Sequence, residues 1–189
     1  MHTSGLARAS TAELGITASG WRRGSRGRVF IDRTTSTFQT VDEVPAPESC
    51  DSELTVLDLN WDLALIDAAE CWMTPLLRSA PMIVVSVATV PGLWALDHAL
   101  HVTGRATTAI CVLLGPSTKK WPKSLHNATP PAVRAVDVAE RLFTVPLDAS
   151  LGLSGLNPDP LPTHLVAACQ TIFDRVVEDT KGTENHVSI

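Results

Sequence analysis

The sequence predicts an α/β domain in three layers, a mostly parallel sheet with helices on both faces. Four short apolar runs carry that prediction, at Asp62–Asp67, Met82–Val87, Ala109–Leu114 and Leu142–Pro146. None of them alternates with polar residues, the pattern of strands buried on both faces. Between them lie turn signals and helix-like stretches, the alternation that builds parallel sheets.

Taken in order, residues 9–19 are expected to be helical, with Leu14 and Ala18 four apart on one face. Arg28–Asp32 reads as a short strand ending in a carboxylate. The stretch 34–53 is rich in Ser, Thr, Pro and acidic residues and is expected to be an exposed loop or poorly ordered insertion. Leu54–Leu59 leads, as a short strand or helix, into the first apolar run, which ends at Asp67. Ala68–Ser79 is expected to form a short helix, broken or bent near Pro75. Pro91 and Gly92 then turn the chain into a helix from about Leu93 to Val102, stopped by Gly104. Pro131 suits the first turn of a helix reaching Glu140, and a last helix runs near Thr163–Glu178. Residues 1–180 are expected to form a single domain, with 181–189 a frayed tail.

Composition narrows the function classes. With 189 residues and 44% hydrophobic content, the chain is long enough to bury a core. A net charge of -5 argues against a surface that coats nucleic acid. Arg22, Arg23, Arg26 and Arg28 form a local basic cluster, read as a solvated loop because Gly20, Gly24 and Gly27 interrupt it; nucleic-acid contact is the alternative. Cys50, Cys71, Cys111 and Cys169 make no Cys-x-x-Cys pair, which points to neither zinc nor a disulfide framework and to a cytoplasmic setting. No signal-peptide core opens the chain, and no transmembrane segment is expected: the most apolar stretch, Pro81–Leu100, is broken by Pro91, Gly92 and Asp97.

Few side chains offer chemistry. His98 and His101, three apart, share a helix face as metal ligands can, but no third ligand accompanies them, and an exposed face is the simpler reading. Ser86, Ser117 and Ser154 lack the Gly-x-Ser-x-Gly setting of a hydrolase nucleophile. Trp61, Trp72, Trp94 and Trp121 are expected to fill core and interface. Asp67, closing an apolar run, stands where a carboxylate would hold a phosphate-bound metal, or else caps a helix or strand end.

The order of Ile31-Asp32, Leu65-Ile66-Asp67, the Met82 and Ala109 runs and Val145-Pro146-Leu147-Asp148 resembles the partition and septum-site ATPases of the ParA and MinD type, a branch of the P-loop NTPases. The resemblance spans about Gly5 to Val177. It implies ATP and magnesium as cofactors. Gly5-Leu-Ala-Arg-Ala-Ser-Thr11 resembles a worn phosphate loop, with Gly5, Arg8, Ser10 and Thr11 at the nucleotide, Ala7 at a loop glycine, Arg8 at the lysine and Ala9 at the metal-binding hydroxyl. Asp32 and Asp67 are then the carboxylates holding magnesium through water, although Thr34 stands where the family positions attacking water. Pro146 and Asp148 fall on the base-side loop, and Leu114-Gly115-Pro116 replaces the adenine-reading Asn. The family's first, central strand precedes its phosphate loop, and almost no chain precedes Gly5.

The function so implied is a regulatory partner with a degraded nucleotide site, non-catalytic or weakly nucleotide-binding, acting through a protein partner or as a homodimer. The alternative is an active ATPase that positions DNA, plasmids or membrane-associated machinery, its N-terminus truncated here. Both readings predict that the four apolar runs are parallel neighbours and that Asp32 and Asp67 share one sheet edge.

Overall fold

A computed structural model describes residues 12–34, 36–48, 52, 54–59, 61–154 and 160–184. Along the chain the elements are β1 (Ala12–Ile16), β2 (Trp21–Arg26), β3 (Val29–Thr34), α1 (Leu63–Ala69), α2 (Met73–Ser79), β4 (Ile83–Val87) and α3 (Val90–Thr103). They continue with β5 (Ile110–Leu114), α4 (Lys123–Ala128), α5 (Pro131–Val138), β6 (Leu142–Val145), α6 (Ala149–Ser154) and α7 (Thr163–Glu184). The fold is α/β, and the expectation of one domain over 1–180 stands beside two compact units. One comprises Met1–Leu76 and Ala149–Asp159; the other comprises Leu77–Asp148 and Pro160–Ile189. No described helix is long and apolar enough to cross a membrane.

The first unit holds an antiparallel meander, β1-β2-β3. Residues 12–16 are strand where a helix is expected. A single pair of apolar positions four apart cannot set a period, and Gly15 (φ 122°) and Gly20 (φ 85°) take conformations that break a helix. The pairing of β1 with β2 shifts register between Glu13 and Gly15, a bulge that glycine permits. Arg22, Arg23 and Arg26 lie within β2, not in a loop. Asp32 sits inside β3 opposite Arg23, not at a strand's end.

The irregular stretch after β3 is pinned at several points. Val41 and Val44 are buried, the Trp21 indole N–H donates to Pro45 C=O at 3.1 Å, and the Trp72 indole N–H donates to Val44 C=O at 2.8 Å. Each indole thereby satisfies its one polar atom, with the Trp21 ring buried and the Trp72 ring half-buried. Asp62–Asp67 is not a strand: it opens α1. Asp62 is the N-cap, accepting the Ala64 N–H at 2.8 Å, and Ile66 is the one buried residue of the helix. Ala and Leu dominate Leu63–Ala69, and both are strong helix formers, whereas the true strand Ile83–Val87 is almost all β-branched. The expected helix over 68–79 is broken between Ala69 and Met73, where Glu70 (φ 49°) ends α1, and not at Pro75, which falls in the first turn of α2, where its missing N–H breaks no helix bond.

The second unit contains the parallel sheet, in the order β4-β5-β6. Three of the four expected parallel runs are therefore present, as neighbours. β5 is central and has helical cover on both faces. Ala109, Cys111 and Leu113 face a core with Leu93, Leu96 and Leu100 of α3 and Val133 and Val136 of α5. Ile110 and Val112 face the other way, against Ile172 of α7 with Phe143 and Val176 beside it. The period-2 alternation of a strand distributes one apolar run between two layers.

Helix ends follow local chemistry. The Thr89 hydroxyl caps α3 by accepting the Gly92 N–H at 3.2 Å, and Gly104 (φ 63°) closes the helix through its N–H to His101 C=O. Asp97 of α3 accepts the Ala132 N–H at 3.3 Å and so ties α3 to the start of α5. Arg141, just before β6, donates to Thr108 C=O and Ala109 C=O and grips both carboxylate oxygens of Asp179 on α7. Trp121 is buried as expected, but Trp94 is exposed.

Candidate functional site

In open α/β sheets, ligands bind outside the carboxyl ends of the strands. Here that edge is formed by Val87-Ala88-Thr89, Leu114-Gly115-Pro116 and Val145-Pro146-Leu147-Asp148. The three loops are stitched together by main-chain bonds. Ala88 N–H donates to Leu114 C=O, and Gly115 N–H donates to Val145 C=O, both at 2.9 Å.

Two glycines make the crowding possible. A Cβ on Gly92 would meet the Val87 carbonyl oxygen at 2.2 Å, and one on Gly115 would meet the Ala88 Cβ at 2.8 Å. The start of α3 thus packs directly on the end of β4, with the Ser86 hydroxyl donating to Gly92 C=O at 2.8 Å. Gly115 also takes φ 148°, outside the range ordinary side chains favour.

Pro146 ends β6, and Asp148 lies two residues beyond it, its carboxylate 3.6 Å from Nε2 of His164 at the start of α7. Among the described residues of this edge, Asp148 and His164 are the ionisable side chains that face each other. The nearby lysines, Lys119 and Lys120, belong to an exposed turn of 3-10 helix over Thr118–Lys120.

The metal carboxylates are placed differently from expectation. Asp32 accepts from Nε of Arg23 at 2.8 Å and from Nη2 at 2.6 Å, a two-pronged pair across the β2–β3 ladder. The same guanidinium lies 5.7 Å over the Phe30 ring. Asp67 belongs to α1. Asp32 and Asp67 therefore share no sheet edge, and neither is on the parallel sheet. Gly5, Arg8, Ser10 and Thr11 lie outside the described residues. Thr34 ends β3.

The His98–His101 pair does not converge on a metal. His101 Nδ1 instead turns to Asp97, 3.3 Å from its carboxylate and 2.8 Å from its carbonyl oxygen. Among the described residues, no group of three or more His, Cys, Asp and Glu is placed to hold a metal ion. A cavity of about 180 Å³ lies beside α4 and α5, lined by Thr118, Trp121, His126, Arg134 and Asp137 among others. Neither Pro146 nor Asp148 lines it. Cys111 is buried in the core, and burial pushes its thiol up to about 12, which keeps it neutral and unreactive.

Gly92 was legible only as part of a helix start, and Asp97 and Arg141 were not legible as positioning residues. For Gly92 a signal existed in Thr89-Val-Pro-Gly92, a capping hydroxyl followed by proline and glycine at a helix start. For Arg141 there was none, since its partner is 38 residues away. Comparison with protein-family models, with curated proteins and with solved structures found no match for this chain.

Proposed function

We propose that the chain is a non-catalytic binding protein, ParA/MinD-like in its parallel half, which acts in the cytoplasm through protein contacts and does not turn over ATP. The observation that carries this reading is the placement of the two carboxylates. A magnesium site at a phosphate needs carboxylate oxygens gathered at one edge and free to accept metal-bound water. Asp32 has both oxygens engaged by Arg23, whose positive charge already compensates it, and Asp67 belongs to a helix. The parallel order β4-β5-β6 and the Pro146–Asp148 loop support the resemblance; the meander does not contribute to it.

Phosphoryl transfer draws on positioning and electrostatic stabilisation together, so displacing both carboxylates is more damaging than losing either. Calorimetric titration with ATP and magnesium, paired with phosphate release, tests the proposal. The expected result is millimolar or weaker affinity and no release above background. Micromolar affinity with turnover abolished by Asp67→Ala would overturn it in favour of the active ATPase.

A further inference from the structure

We propose that β4 is the seam of a homodimer in which two copies of this chain pair edge to edge, antiparallel, around Val85, forming one six-stranded sheet. The proposal rests on the reading that the chain works through protein contacts, and it names the partner. β4 pairs with β5 on one side, and among the described residues no strand pairs with its other side. The backbone directions follow from the bonds to β5. Met82 C=O accepts from Ile110 N–H and Ala88 N–H donates to Leu114 C=O, so the even-numbered residues turn their polar groups inward. In a parallel strand the N–H and C=O of one residue point the same way. Ile83, Val85 and Val87 therefore present theirs outward.

Natural edges are commonly protected by charge, proline, a bulge or shortness. β4 has none of these over its five residues, and its register with β5 is continuous. The other edges differ. β1 has a bulge, β3 carries Asp32 and Arg33, and β6 is four residues long between Arg141 and Pro146. On β4 the side chains of Ile83, Val85 and Val87 are 41%, 58% and 44% exposed and share one face.

The strand is self-complementary. Antiparallel pairing centred on Val85 puts Val85 opposite Val85 and Ile83 opposite Val87 of the second copy. All three pairs match β-branched side chains, a favourable combination across strands. The outward groups at 83, 85 and 87 then become the hydrogen-bonded positions of the new ladder. Charge selects the occupant. From Ser79 to Leu96 no residue is Asp, Glu, Lys, Arg or His. A partner recognised by opposite charge has nothing here to recognise, whereas two copies, each with net charge -5, meet with least repulsion across a neutral stretch.

Sedimentation velocity of the full chain from 1 to 100 µM, in 0.15 M and in 1 M NaCl, tests the proposal. The expected result is a dimer at both salt concentrations without nucleotide. Val85→Lys and Val85→Glu should each weaken association at least about 100-fold, since like charges would stand directly opposite. Mixing the two variants should restore the dimer. In the wild-type chain, the amides of Ile83, Val85 and Val87 should gain hydrogen-exchange protection at 100 µM relative to 1 µM, a readout that depends on no variant's folding. A wild-type monomer at 100 µM, loss of the dimer in 1 M NaCl, or variants that still dimerise alone would overturn the seam and leave the non-catalytic reading standing. A dimer that forms only with ATP and magnesium would overturn both.

Discussion

The two three-stranded sheets of this chain are built on opposite principles. In the antiparallel meander, Trp21 is buried while Ile16, Val29 and Phe30 are exposed, and the ladder is braced by an Arg23–Asp32 ion pair. In the parallel sheet, every residue of Ile110–Val112 and Leu113 is buried, with helices supplying apolar cover above and below. One sheet leaves several apolar side chains exposed and carries an ion pair across its ladder; the other is held by burial on both faces. The difference teaches where continuity of apolar residues is informative: it marks strands covered on both faces and overlooks strands half in water.

The comparison predicts that truncating the parallel core costs most. Leu96→Ala removes a fully buried side chain of α3 and should lower unfolding free energy by about 3 kcal/mol in urea denaturation. A loss under about 1 kcal/mol would show that the layer repacks freely and would erase the contrast. Gly92→Ala is next. Its Cβ collides with backbone at Val87 and not with a yielding side-chain tip, so a loss of roughly 2 kcal/mol is expected from the forced shift of α3.

Asp32→Asn tests the other sheet. It keeps the shape of the side chain but removes the charge that Arg23 grips, and about 1 kcal/mol should be lost. A loss equal to that of Leu96→Ala would mean the meander depends on its polar pair as heavily as the parallel sheet depends on its core. The smallest effect at neutral pH belongs to Cys111. Its thiol is raised in the fold from 9.0 to about 12, so the unfolded chain sheds this proton first as pH rises. Stability should be unaffected below about pH 9 and fall between 9 and 12. Cys111→Ala should show a flatter pH dependence in that window; equal slopes in the two proteins would contradict a buried, neutral thiol.

How much of this was legible depends on residue type more than on hydrophobicity. Ile83–Val87, Ile110–Leu114 and Leu142–Val145 announce themselves because β-branched and bulky residues follow one another with few polar breaks. Leu63–Ala69 is as apolar, yet its alanines and leucines favour a helix, and Asp62 ahead of them is a capping residue. Reading that run as a strand moved Asp67 to a sheet edge it does not occupy. Asp32 misled for another reason. A strand's end can be guessed from a turn signal, but the guanidinium opposite a carboxylate is set by pairing register, which a single strand does not reveal. At the candidate edge, Pro146 and Asp148 were visible, whereas the imidazole facing Asp148 arrives from 16 positions further on.

The clasp between Arg141 and Asp179 also bears on the order in which this chain can complete itself during synthesis. Strands β4, β5 and β6 leave the ribosome before α7 does, and the layer holding Ile110 and Val112 closes only when Ile172 and Val176 arrive. The clasp that fastens α7 to the beginning of β6 needs Asp179, among the last residues described. Until then the nascent sheet has one face finished and one bare, the interval in which a chaperone or a neighbouring nascent chain finds its widest target.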